Sequence, residues 1–432
     1  MKRLLSLLLA LVMVLGMTSA ASAEKVQVEF WFGLGGATGE LIKEVIEEFN
    51  GMQDKYEIIG VTQGSYTETF QAIQGPIAAK KPPALAVLEY GQVNNLALKG
   101  VLEDIQPYID ADPEFKPEDI VPAFLNQGKY GDQLFALPIQ GTTQVLYYNK
   151  LAFEEAGINA DEALDTWEGL LDAARKLTKK DENGNTVFYG WEPMWGYWNL
   201  MDIAYSNGGK LLSDDGKTVL INSPEWVEAW ELIRKAIHEE KVMRVHSTGQ
   251  GWEYWYKTID DVMQDRAGGY TGSAGDQGDL DFTKIAAHIQ PGMGGNPAAA
   301  VVEATQMVIP KDASPEAKQG AYEFVKFLTN TKNTARYSMV TGYIAVRASA
   351  QDDPDFKAYT DANPQALVPL QQATEAGIPP ILDPTGNKIF DALRTATDLV
   401  EVEGISAQEA LDEAAYEAQD ALDDYWKDQA KK

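Results

Sequence analysis

The densest group of chemically distinctive residues is an aromatic cluster in residues 190–201, GWEPMWGYWNLM. Its rings stand among glycine, proline and glutamate without the regular spacing of a packed helix face. A flat ring can pack on the apolar face of a ligand, and a carboxylate can accept hydrogen bonds from ligand hydroxyls. The cluster therefore predicts a ligand platform, with core packing as the alternative. The residues assigned to this platform are Glu192, Trp195 and Trp198.

A second aromatic segment, GQGWEYWYK, occupies residues 249–257. It contributes Trp252 as a further ligand-contact candidate, with Trp255 beside it and core packing as the alternative for both. Trp226 and Trp230 are different, because they lie four residues apart on a predicted helix, which is ordinary core spacing.

Polar residues also follow two predicted strands. Tyr66 comes after the strand at residues 56–61, and Glu89 comes directly after the strand at residues 84–88. Strands that alternate with helices predict an α/β fold with a parallel sheet and helices on both faces, whose ligands bind beyond the carboxyl ends of the strands. Tyr66 and Glu89 are therefore candidate ligand contacts. The alternative for Glu89 is a solvated loop carboxylate.

The segment ALPIQGTTQVLYYNK, residues 136–150, reads as a bent strand that passes from one folded lobe into another. Gln140, Thr142 and Thr143 interrupt an otherwise apolar run. Buried polar groups are costly unless they have hydrogen-bond partners, so we expect these side chains to face a ligand cleft. An ordinary β-turn is the alternative for this segment.

Several catalytic and cofactor sites are disfavoured by their spacing. Glu89 and Glu303 could act as the paired carboxylates of a glycoside hydrolase, but the sequence does not supply the separation that this chemistry needs. The three histidines lack ligand or triad spacing, and the glycine-rich residues 33–39 lack the lysine of a phosphate-binding loop. Residues 181–186 imitate the start of a calcium-binding loop without its glycine. We expect no catalytic residue, no cofactor and no metal.

The N-terminus carries an export signal. Lys2 and Arg3 precede the apolar residues 4–14, and small residues end the segment at Ala23. This pattern predicts a secretory signal peptide over residues 1–23, cleaved near Ala23. The apolar run is shorter than the roughly 20 residues that span a bilayer. The protein is therefore expected to be periplasmic or secreted.

Composition narrows the class further. The chain has 432 residues, 45% of them hydrophobic, a formal net charge of −29 and no cysteine. The length predicts roughly two or three domains with ample cores. Dispersed negative charge makes nucleic acid and anionic membrane surfaces poor partners. Without cysteine the chain has no disulfide, thiolate metal site or lipid-modified cysteine, so we expect a protein that is free rather than tethered. We also expect it to be a monomer.

Several segments together carry a family resemblance. They are FWFG (30–33), QGSYTE (63–68), AVLEYG (86–91), FALPIQGTTQVLYYNK (135–150), TWEGLLDAARKL (166–177), GGYTGSAG (268–275) and VTGYIAVR (340–347). In this order they resemble the extracellular solute-binding proteins of carbohydrate ABC importers, and within these the glycerol-3-phosphate-binding subgroup. The resemblance implies two α/β lobes, joined by a hinge of crossing strands, that close over a ligand in the cleft between them. It also implies delivery to permease subunits in the membrane, and no chemistry on the ligand.

Binding positions carry over by motif onto this chain. They are Tyr66, Glu89, Thr142 or Thr143, Ser273 and Tyr343. Ser273 also ends a predicted strand in a small-residue turn, which lets a ligand approach the backbone closely. Two positions differ from the subgroup: Glu303 stands in place of a glycine, and Asp391 stands in place of an arginine, with Arg394 one turn further on.

These two differences decide the predicted ligand. An anion needs fixed positive charge, and a carboxylate in the cleft would repel it. We therefore predict a neutral sugar or oligosaccharide, with glycerol 3-phosphate or a glycerophosphodiester as the alternative and a secreted glycoside hydrolase as a remote one.

The predicted division of the chain assigns residues 24–137 and 290–330 to the N-lobe, and residues 138–289 and 331–432 to the C-lobe.

Overall fold

A computed structural model describes residues 25–431. The predicted signal peptide, residues 1–23, lies outside the described residues. The strands are β1 (Val26–Phe32), β2 (Tyr56–Thr62), β3 (Leu85–Leu88), β4 (Lys129–Tyr130), β5 (Gln133–Leu134), β6 (Ala136–Thr142), β7 (Gln144–Asn149), β8 (Lys179–Lys180), β9 (Thr186–Phe188), β10 (Glu192–Pro193), β11 (Gly269–Ser273), β12 (Ile285–His288), β13 (Ala300–Val301), β14 (Glu303–Val308) and β15 (Gly377–Ile378).

Helices connect and cover these strands. They are α1 (Gly36–Met52), α2 (Tyr66–Ala78), α3 (Tyr90–Leu98), α4 (Gln106–Asp110), α5 (Pro122–Asn126), α6 (Lys150–Glu155), α7 (Ala160–Ala163), α8 (Trp167–Leu177), α9 (Tyr197–Ser206), α10 (Pro224–His238), α11 (Glu253–Met263), α12 (Pro315–Leu328), α13 (Thr331–Thr341), α14 (Pro354–Ala362), α15 (Val368–Glu375), α16 (Lys388–Thr397) and α17 (Ala407–Gln429). None of the helices within residues 25–431 is long and apolar enough to cross a bilayer.

The first sheet has the strand order β2, β1, β3, β14, β6. β1 runs parallel to β2 and β3, whereas β14 is antiparallel to both of its neighbours. The sheet is therefore mixed, which corrects the wholly parallel sheet that the strand–helix alternation predicts. The reason is that β14 comes from far along the chain and not through a local crossover helix.

The second sheet has the strand order β10, β11, β7, β12. Only β10 and β11 are parallel, and β7 is antiparallel to both β11 and β12. Helix α8 covers this lobe as the sequence predicts. Its cap Thr166 accepts a hydrogen bond from the Gly169 N–H at 3.0 Å, and its apolar face buries Trp167 and Leu170.

A hinge of crossing strands joins the two sheets. β6 ends at Thr142 in the first sheet and β7 begins at Gln144 in the second, so the chain passes between the lobes at Thr143. It returns between β12 and β14, and Ile344 forms a bridge with Gly141 beside the first crossing. The predicted bent strand at residues 136–150 is therefore confirmed, together with the two-lobe α/β fold.

Each sheet has its own hydrophobic core. In the first, Phe324 packs edge-on against Phe30 and Phe49, with ring centroids 5.5 and 5.3 Å apart. In the second, Trp226 and Trp230 are fully buried, as their helical spacing predicts. Two separate cores allow two lobes to move as rigid units.

Helix α13 differs from the predicted division of the chain. That division begins the last C-lobe segment at residue 331, but α13 packs on α1 of the first lobe. Arg336 pairs with Glu44 and Glu48 of α1 at 2.6 and 2.7 Å, and Tyr337 belongs to the first core. The C-lobe segment therefore starts later than predicted, because α13 buries its apolar side in the first lobe. The remaining lobe boundaries stay a prediction.

Candidate ligand-binding cleft

A cleft with a volume of about 500 Å³ lies between the two sheets. It is lined by the β6–β7 connection, by the loops that follow β1, β2 and β3, and by the N-terminal ends of α9 and α11. All but one of the residues predicted to bind ligand line it, although contact with a ligand stays a prediction. They are Tyr66, Glu89, Gln140, Thr142, Thr143, Trp195, Trp198, Trp252, Ser273, Glu303 and Tyr343.

The aromatic cluster of residues 190–201 supplies one wall of this cleft. The Trp198 ring lies against Tyr197, with centroids 4.6 Å apart, and stacks on Phe390 at 5.9 Å. Trp195 is held by two contacts: its Nε1 donates to Asp398 Oδ1 at 3.0 Å, and its ring meets Tyr254 edge-on at 5.1 Å. Rings held in this way form a rigid platform for a flat ligand.

The segment around Trp252 forms a second aromatic surface, which meets the first where Tyr254 contacts Trp195. Trp252 Nε1 donates to the Gly33 carbonyl at 3.0 Å, and its ring meets Tyr66 edge-on at 5.6 Å. Trp255 Nε1 donates to Asp276 Oδ1 at 2.7 Å. The sequence did not assign the tyrosines of this segment to the site, although its aromatic density was the signal that could have found them. They are Tyr254 and Tyr256.

Gln140 is the centre of a buried polar network at the hinge. Its Nε2 donates to Tyr66 Oη at 3.3 Å and to Thr305 Oγ1 at 3.2 Å, and its Oε1 accepts from Tyr337 Oη at 2.5 Å. Only 1% of Gln140 is exposed. The sequence predicts that Gln140 binds ligand hydroxyls, but its donors and its acceptor are already engaged. Its contribution is to orient Tyr66.

The threonines of the hinge are also engaged within the protein. Thr143 Oγ1 accepts a hydrogen bond from Gln372 Nε2 at 2.6 Å, and Gln372 also bonds the Gln144 carbonyl. The hydroxyls of Thr142 and Ser273 lie 3.2 Å apart, which connects β6 to β11 across the crossing point. Both threonines therefore fix the path of the hinge where it borders the cleft.

The small-residue turn after β11 makes room for an aromatic ring. A Cβ at Gly275 would lie 2.0 Å from the Tyr343 ring. Tyr343 follows α13, whose cap Gly342 has a left-handed φ of 82°. The sequence predicts that this turn lets a ligand approach the backbone; in the structure the Tyr343 ring occupies the space beside Gly275. Tyr343 itself lines the cleft.

Glu89 and Glu303 place two carboxyl groups in one part of the cleft. Glu89 Oε2 accepts from Gln92 Nε2 at 2.9 Å, and Glu303 Oε1 accepts from the Tyr90 N–H at 3.2 Å. Burial, followed by the negative charge of Glu89, raises the pKa of Glu303 to about 8. Burial also raises the pKa of Glu89, while nearby Arg394 opposes this shift. Hydrogen-bond donors or positive charge on a ligand would stabilise the ionised form of both carboxyl groups.

Four further acids line the cleft that the sequence did not single out, namely Glu68, Asp202, Asp276 and Asp279. Two of these, Asp276 and Asp202, are buried. Burial raises the pKa of Asp276 to about 8, against the opposing hydrogen bond from Trp255. Burial raises the pKa of Asp202 well above its usual range, although its oxygens accept from the Val301 N–H at 2.9 Å and from Gln290 Nε2 at 3.1 Å. No motif marks either residue, because each is brought to the cleft by the packing of its own lobe.

Arg394 is the only basic residue that lines the cleft among residues 25–431. Its side chain is 41% exposed and pairs with Asp391 at 3.0 Å. Its guanidinium carbon lies 5.6 Å from the Tyr197 ring centroid. Positive charge is therefore present near the site, but it is already paired and partly solvated.

Glu192 does not line the cleft, which corrects its predicted role. It is fully buried, and its Oε1 accepts from Arg244 Nε at 2.6 Å. Burial raises the pKa of Glu192 to about 8, against the positive charge of Arg244. Period-two alternation at β10 turns this side chain away from the platform formed by Trp195 and Trp198.

Glu192 belongs to a charged cluster behind the aromatic walls. Each of Glu192, His246 and Asp261 offers one ligand atom, and these atoms lie within 4.8 Å of one another. A metal ion would have to compete with two guanidinium groups, because Arg244 bonds both acids and Arg266 Nε donates to Asp261 at 2.6 Å. The cluster therefore reads as an ion-pair network that ties β10 to α11.

Comparison with known proteins agrees with this architecture. A family model described as bacterial extracellular solute-binding protein matches residues 44–364. The chain is 25% identical over 422 residues to the sn-glycerol-3-phosphate-binding periplasmic protein UgpB of Yersinia enterocolitica, with 92% of each chain covered. It is 24% identical over 404 residues to the protein of the same name from Salmonella typhimurium, with 90% of each chain covered.

Solved structures share the same fold. UgpB from Mycobacterium tuberculosis, in complex with glycerophosphocholine, has a TM-score of 0.81 at 21% identity, with 92% of this chain and 98% of that chain covered. An ABC substrate-binding protein from Listeria monocytogenes, in complex with cycloalternan, has a TM-score of 0.80 at 21% identity, with 92% and 99% covered. The match over residues 44–364, together with the two-lobe fold and its cleft, shows that this chain belongs to the family of bacterial extracellular solute-binding proteins.

Proposed function

We propose that this protein is the solute-binding component of an ABC importer and that it captures a sugar or oligosaccharide in the cleft between its lobes. The observation that carries this proposal is the pairing of aromatic walls with hydrogen-bond acceptors. Trp195, Trp198 and Trp252 line the cleft together with Glu89 and Glu303. Sugar rings offer an apolar face to such rings and a fringe of hydroxyl donors to such acceptors.

The balance of charge supports a sugar over a phosphate ester. The acids that line the cleft outnumber its one arginine, and they include Glu89, Asp202, Asp276 and Glu303. A phosphate group is an acceptor with negative charge, so it needs several donors or unpaired cations close by. A polyol supplies donors instead and matches the lining.

Glycerol 3-phosphate or a glycerophosphodiester is the second candidate. Relatives of similar length are named for glycerol 3-phosphate, and a solved structure with this fold holds glycerophosphocholine. Arg394 is the feature of this chain that favours a phosphate, since it lines the cleft. Its existing pair with Asp391 weighs against it, because a phosphate would have to share that cation.

Ligand capture requires the lobes to close. The contacts come from both lobes, and a ligand stabilises the closed state through its greater affinity for that state. The closed protein would then present the ligand to permease subunits in the membrane. We place the protein outside the inner membrane, as a monomer, after cleavage near Ala23.

Binding without turnover is part of the proposal. The acids of the cleft include the pair Glu89 and Glu303, which a glycoside hydrolase could use as acid and nucleophile. The hinge, the family membership and the aromatic walls support reversible capture instead. Incubating the protein with any sugar it binds should leave that sugar intact, and chromatography that detects hydrolysis products would favour the hydrolase alternative.

A ligand screen tests the proposal directly. A ligand that binds only the native state raises the melting temperature. Mono- and oligosaccharides, polyols, glycerol 3-phosphate and glycerophosphocholine are screened in parallel, and hits are titrated by calorimetry. We expect the hits to be sugars. Tight binding of the glycerophosphate compounds, with no response to any sugar or polyol, would replace the proposal with the second candidate.

A further inference from the structure

The cleft holds a surplus of acid that its own cation does not compensate. Six carboxyl groups line it beside the single arginine Arg394, and these residues are Glu68, Glu89, Asp202, Asp276, Asp279 and Glu303. Within residues 25–431, neither Glu89 nor Glu303 forms an ion pair. Arg394 is itself paired with Asp391 at 3.0 Å. Removing unpaired carboxylates from water is unfavourable. When the lobes close, a positively charged group on the ligand would offset this cost.

Glu303 is the centre of this uncompensated region. One of its oxygens accepts a backbone hydrogen bond from Tyr90 at 3.2 Å, and the other has no hydrogen-bond partner among the described residues. Glu89 and Asp202 both lie close enough to repel its ionised form. Tyr197 at the edge of the aromatic wall lies near the charges of Glu89 and Glu303, which Arg394 opposes in part. A positive group at this point would meet two acids and an aromatic wall together.

A buried acceptor without a partner lies on the helix that carries Asp202. Asn199 lines the cleft and is 3% exposed; its Nδ2 donates to the Met194 carbonyl at 2.5 Å, and its Oδ1 has no partner. Asn199 lies three residues before Asp202 on α9, so the two side chains share one face of that helix. The bond to Met194 fixes the orientation of the amide, because the reverse would set two carbonyl oxygens against each other. Asn199 therefore adds one unsatisfied acceptor beside Asp202 in the wall of the cleft.

We propose that the ligand carries a protonated amino group that binds between Glu89 and Glu303, beside the Tyr197 and Trp198 rings. The inference rests on the proposed function and narrows its ligand class to sugars that bear an amine. A hydroxyl brings one donor and no charge. An ammonium group brings three donors and a positive charge, which satisfies the free oxygen of Glu303 and, because a nearby positive charge lowers the pKa of a carboxyl, favours the ionised form of both acids.

Matched sugars that differ only at carbon 2 test this inference. Each set contains the hydroxyl, amino and N-acetylamino forms: glucose with glucosamine and N-acetylglucosamine, the corresponding galactose set, and the β-1,4-linked disaccharides of the glucose set. Calorimetry at pH 6.5 keeps the amine charged. The N-acetyl form controls for substitution without charge. We expect the amino form to bind about tenfold or more tightly than both partners in at least one set.

Variants of the acid pair show where the preference arises. Glu303→Gln and Glu89→Gln keep the size and the acceptor that their neighbours use, and the exposed Glu154→Gln, which lies outside the cleft, is the matched control. The ratio of amino-sugar to hydroxyl-sugar affinity should fall by about tenfold in the two cleft variants and stay unchanged in the control. Thermal melting of each variant establishes that it is folded.

The possible results separate this inference from the proposed function. If hydroxyl sugars bind as tightly as their amino forms in every set, the amine inference is wrong and the sugar-binding function stands. If the amine preference survives both cleft variants, the position between Glu89 and Glu303 is wrong. If no sugar binds and the glycerophosphate compounds do, both the inference and the function are wrong.

Discussion

Trp252 and Gly33 connect the two lobes across the cleft: the indole Nε1 of Trp252 donates to the Gly33 carbonyl at 3.0 Å. Trp252 precedes α11 in the second lobe, whereas Gly33 follows β1 in the first. A weaker contact lies nearby, where the Ala37 N–H approaches Asp279 Oδ1 at 3.4 Å. The described conformation therefore has contacts between the lobes that any opening of the cleft must break.

Loss of the Trp252 hydrogen bond should favour the open state. Trp252→Phe keeps a ring but leaves the Gly33 carbonyl without its donor, so ligand affinity should fall by about 1 kcal/mol, or roughly fivefold. Solution scattering should show a larger radius of gyration without ligand and compaction when ligand is added. Trp426→Phe is the matched control, because Trp426 Nε1 also donates to a carbonyl, that of Gly216, at 3.0 Å outside the cleft. Equal effects of the two substitutions would contradict the prediction that the hydrogen bond from Trp252 to Gly33 holds the lobes together.

Removal of a platform ring should weaken sugar binding most. Trp198→Ala takes away the ring that stacks on Tyr197 and Phe390, and we expect a loss of about 2 kcal/mol or more in binding free energy. Calorimetry with the sugar found in the screen measures this. Tyr416→Ala is the control, since Tyr416 is 78% exposed and does not line the cleft. An unchanged affinity in Trp198→Ala would remove this ring from the site.

Substitution of the cleft arginine separates the two ligand classes. Arg394→Ala should change sugar affinity by less than about threefold, because the guanidinium is 41% exposed and paired with Asp391. The same substitution should abolish binding of glycerol 3-phosphate if that compound is the ligand, since no other basic side chain of residues 25–431 lines the cleft. Titration of both compounds against both proteins gives the answer.

The pH dependence of stability should reflect the raised pKa of Glu303, which is about 8. A carboxyl group with a higher pKa in the folded chain binds more protons when folded, so its contribution to stability is fully present below about pH 4.5 and is lost as the pH rises through about 8. Glu303→Gln removes this contribution. Between pH 5 and 8 the unfolding free energy of the variant should therefore fall by about 1 to 3 kcal/mol less than that of the native protein.

Urea titrations of both proteins at pH 5, 6.5 and 8 measure this difference. Glu192 and Asp276 also have a raised pKa of about 8, but they are present in both proteins and cancel in the comparison. Parallel curves for the native and variant proteins would contradict the raised pKa of Glu303.

The ion-pair network of Glu192, Arg244 and Asp261 should affect the stability of the fold and not ligand binding. Arg244→Met leaves Glu192 without its donor in a fully buried position, and we expect a loss of about 3 kcal/mol in unfolding free energy. The double variant Arg244→Met with Glu192→Met should recover much of this loss, because no buried carboxyl is then left without its donor: Glu192 is gone, and Asp261 keeps Arg266 and His246. Chemical denaturation measures both. A stable single variant would show that Arg244 does not compensate Glu192.

The sequence alone was sufficient for the two-lobe fold, and all but one of the ligand contacts that it predicts line the cleft. The bent strand at residues 136–150 is recognisable because polar residues interrupt an apolar run, and the hinge forms there. Tyr66 and Glu89 are recognisable because they follow buried strands, whose carboxyl ends meet at one edge of a sheet. Trp195 and Trp198 are recognisable because they stand in a dense cluster of aromatic residues among glycine, proline and glutamate.

The tertiary structure decided which polar side chains remain available to a ligand. Gln140 lines the cleft, but the hydroxyls of Tyr66, Thr305 and Tyr337 already engage its amide. Glu192 lies in the aromatic cluster, but the alternation of side chains along β10 turns it toward Arg244. Hydrogen-bond partners such as Tyr337 come from segments far apart in the chain, so local pattern cannot identify them.

The surplus of acid in the cleft was likewise a tertiary result. Asp202 and Asp276 have no motif around them, and Arg394 is one basic residue among many in the sequence. Lobe packing brings these groups together, and burial then raises the pKa of both acids. Periodicity along a chain shows which face of an element is apolar, whereas charge balance in a cleft depends on how whole lobes meet.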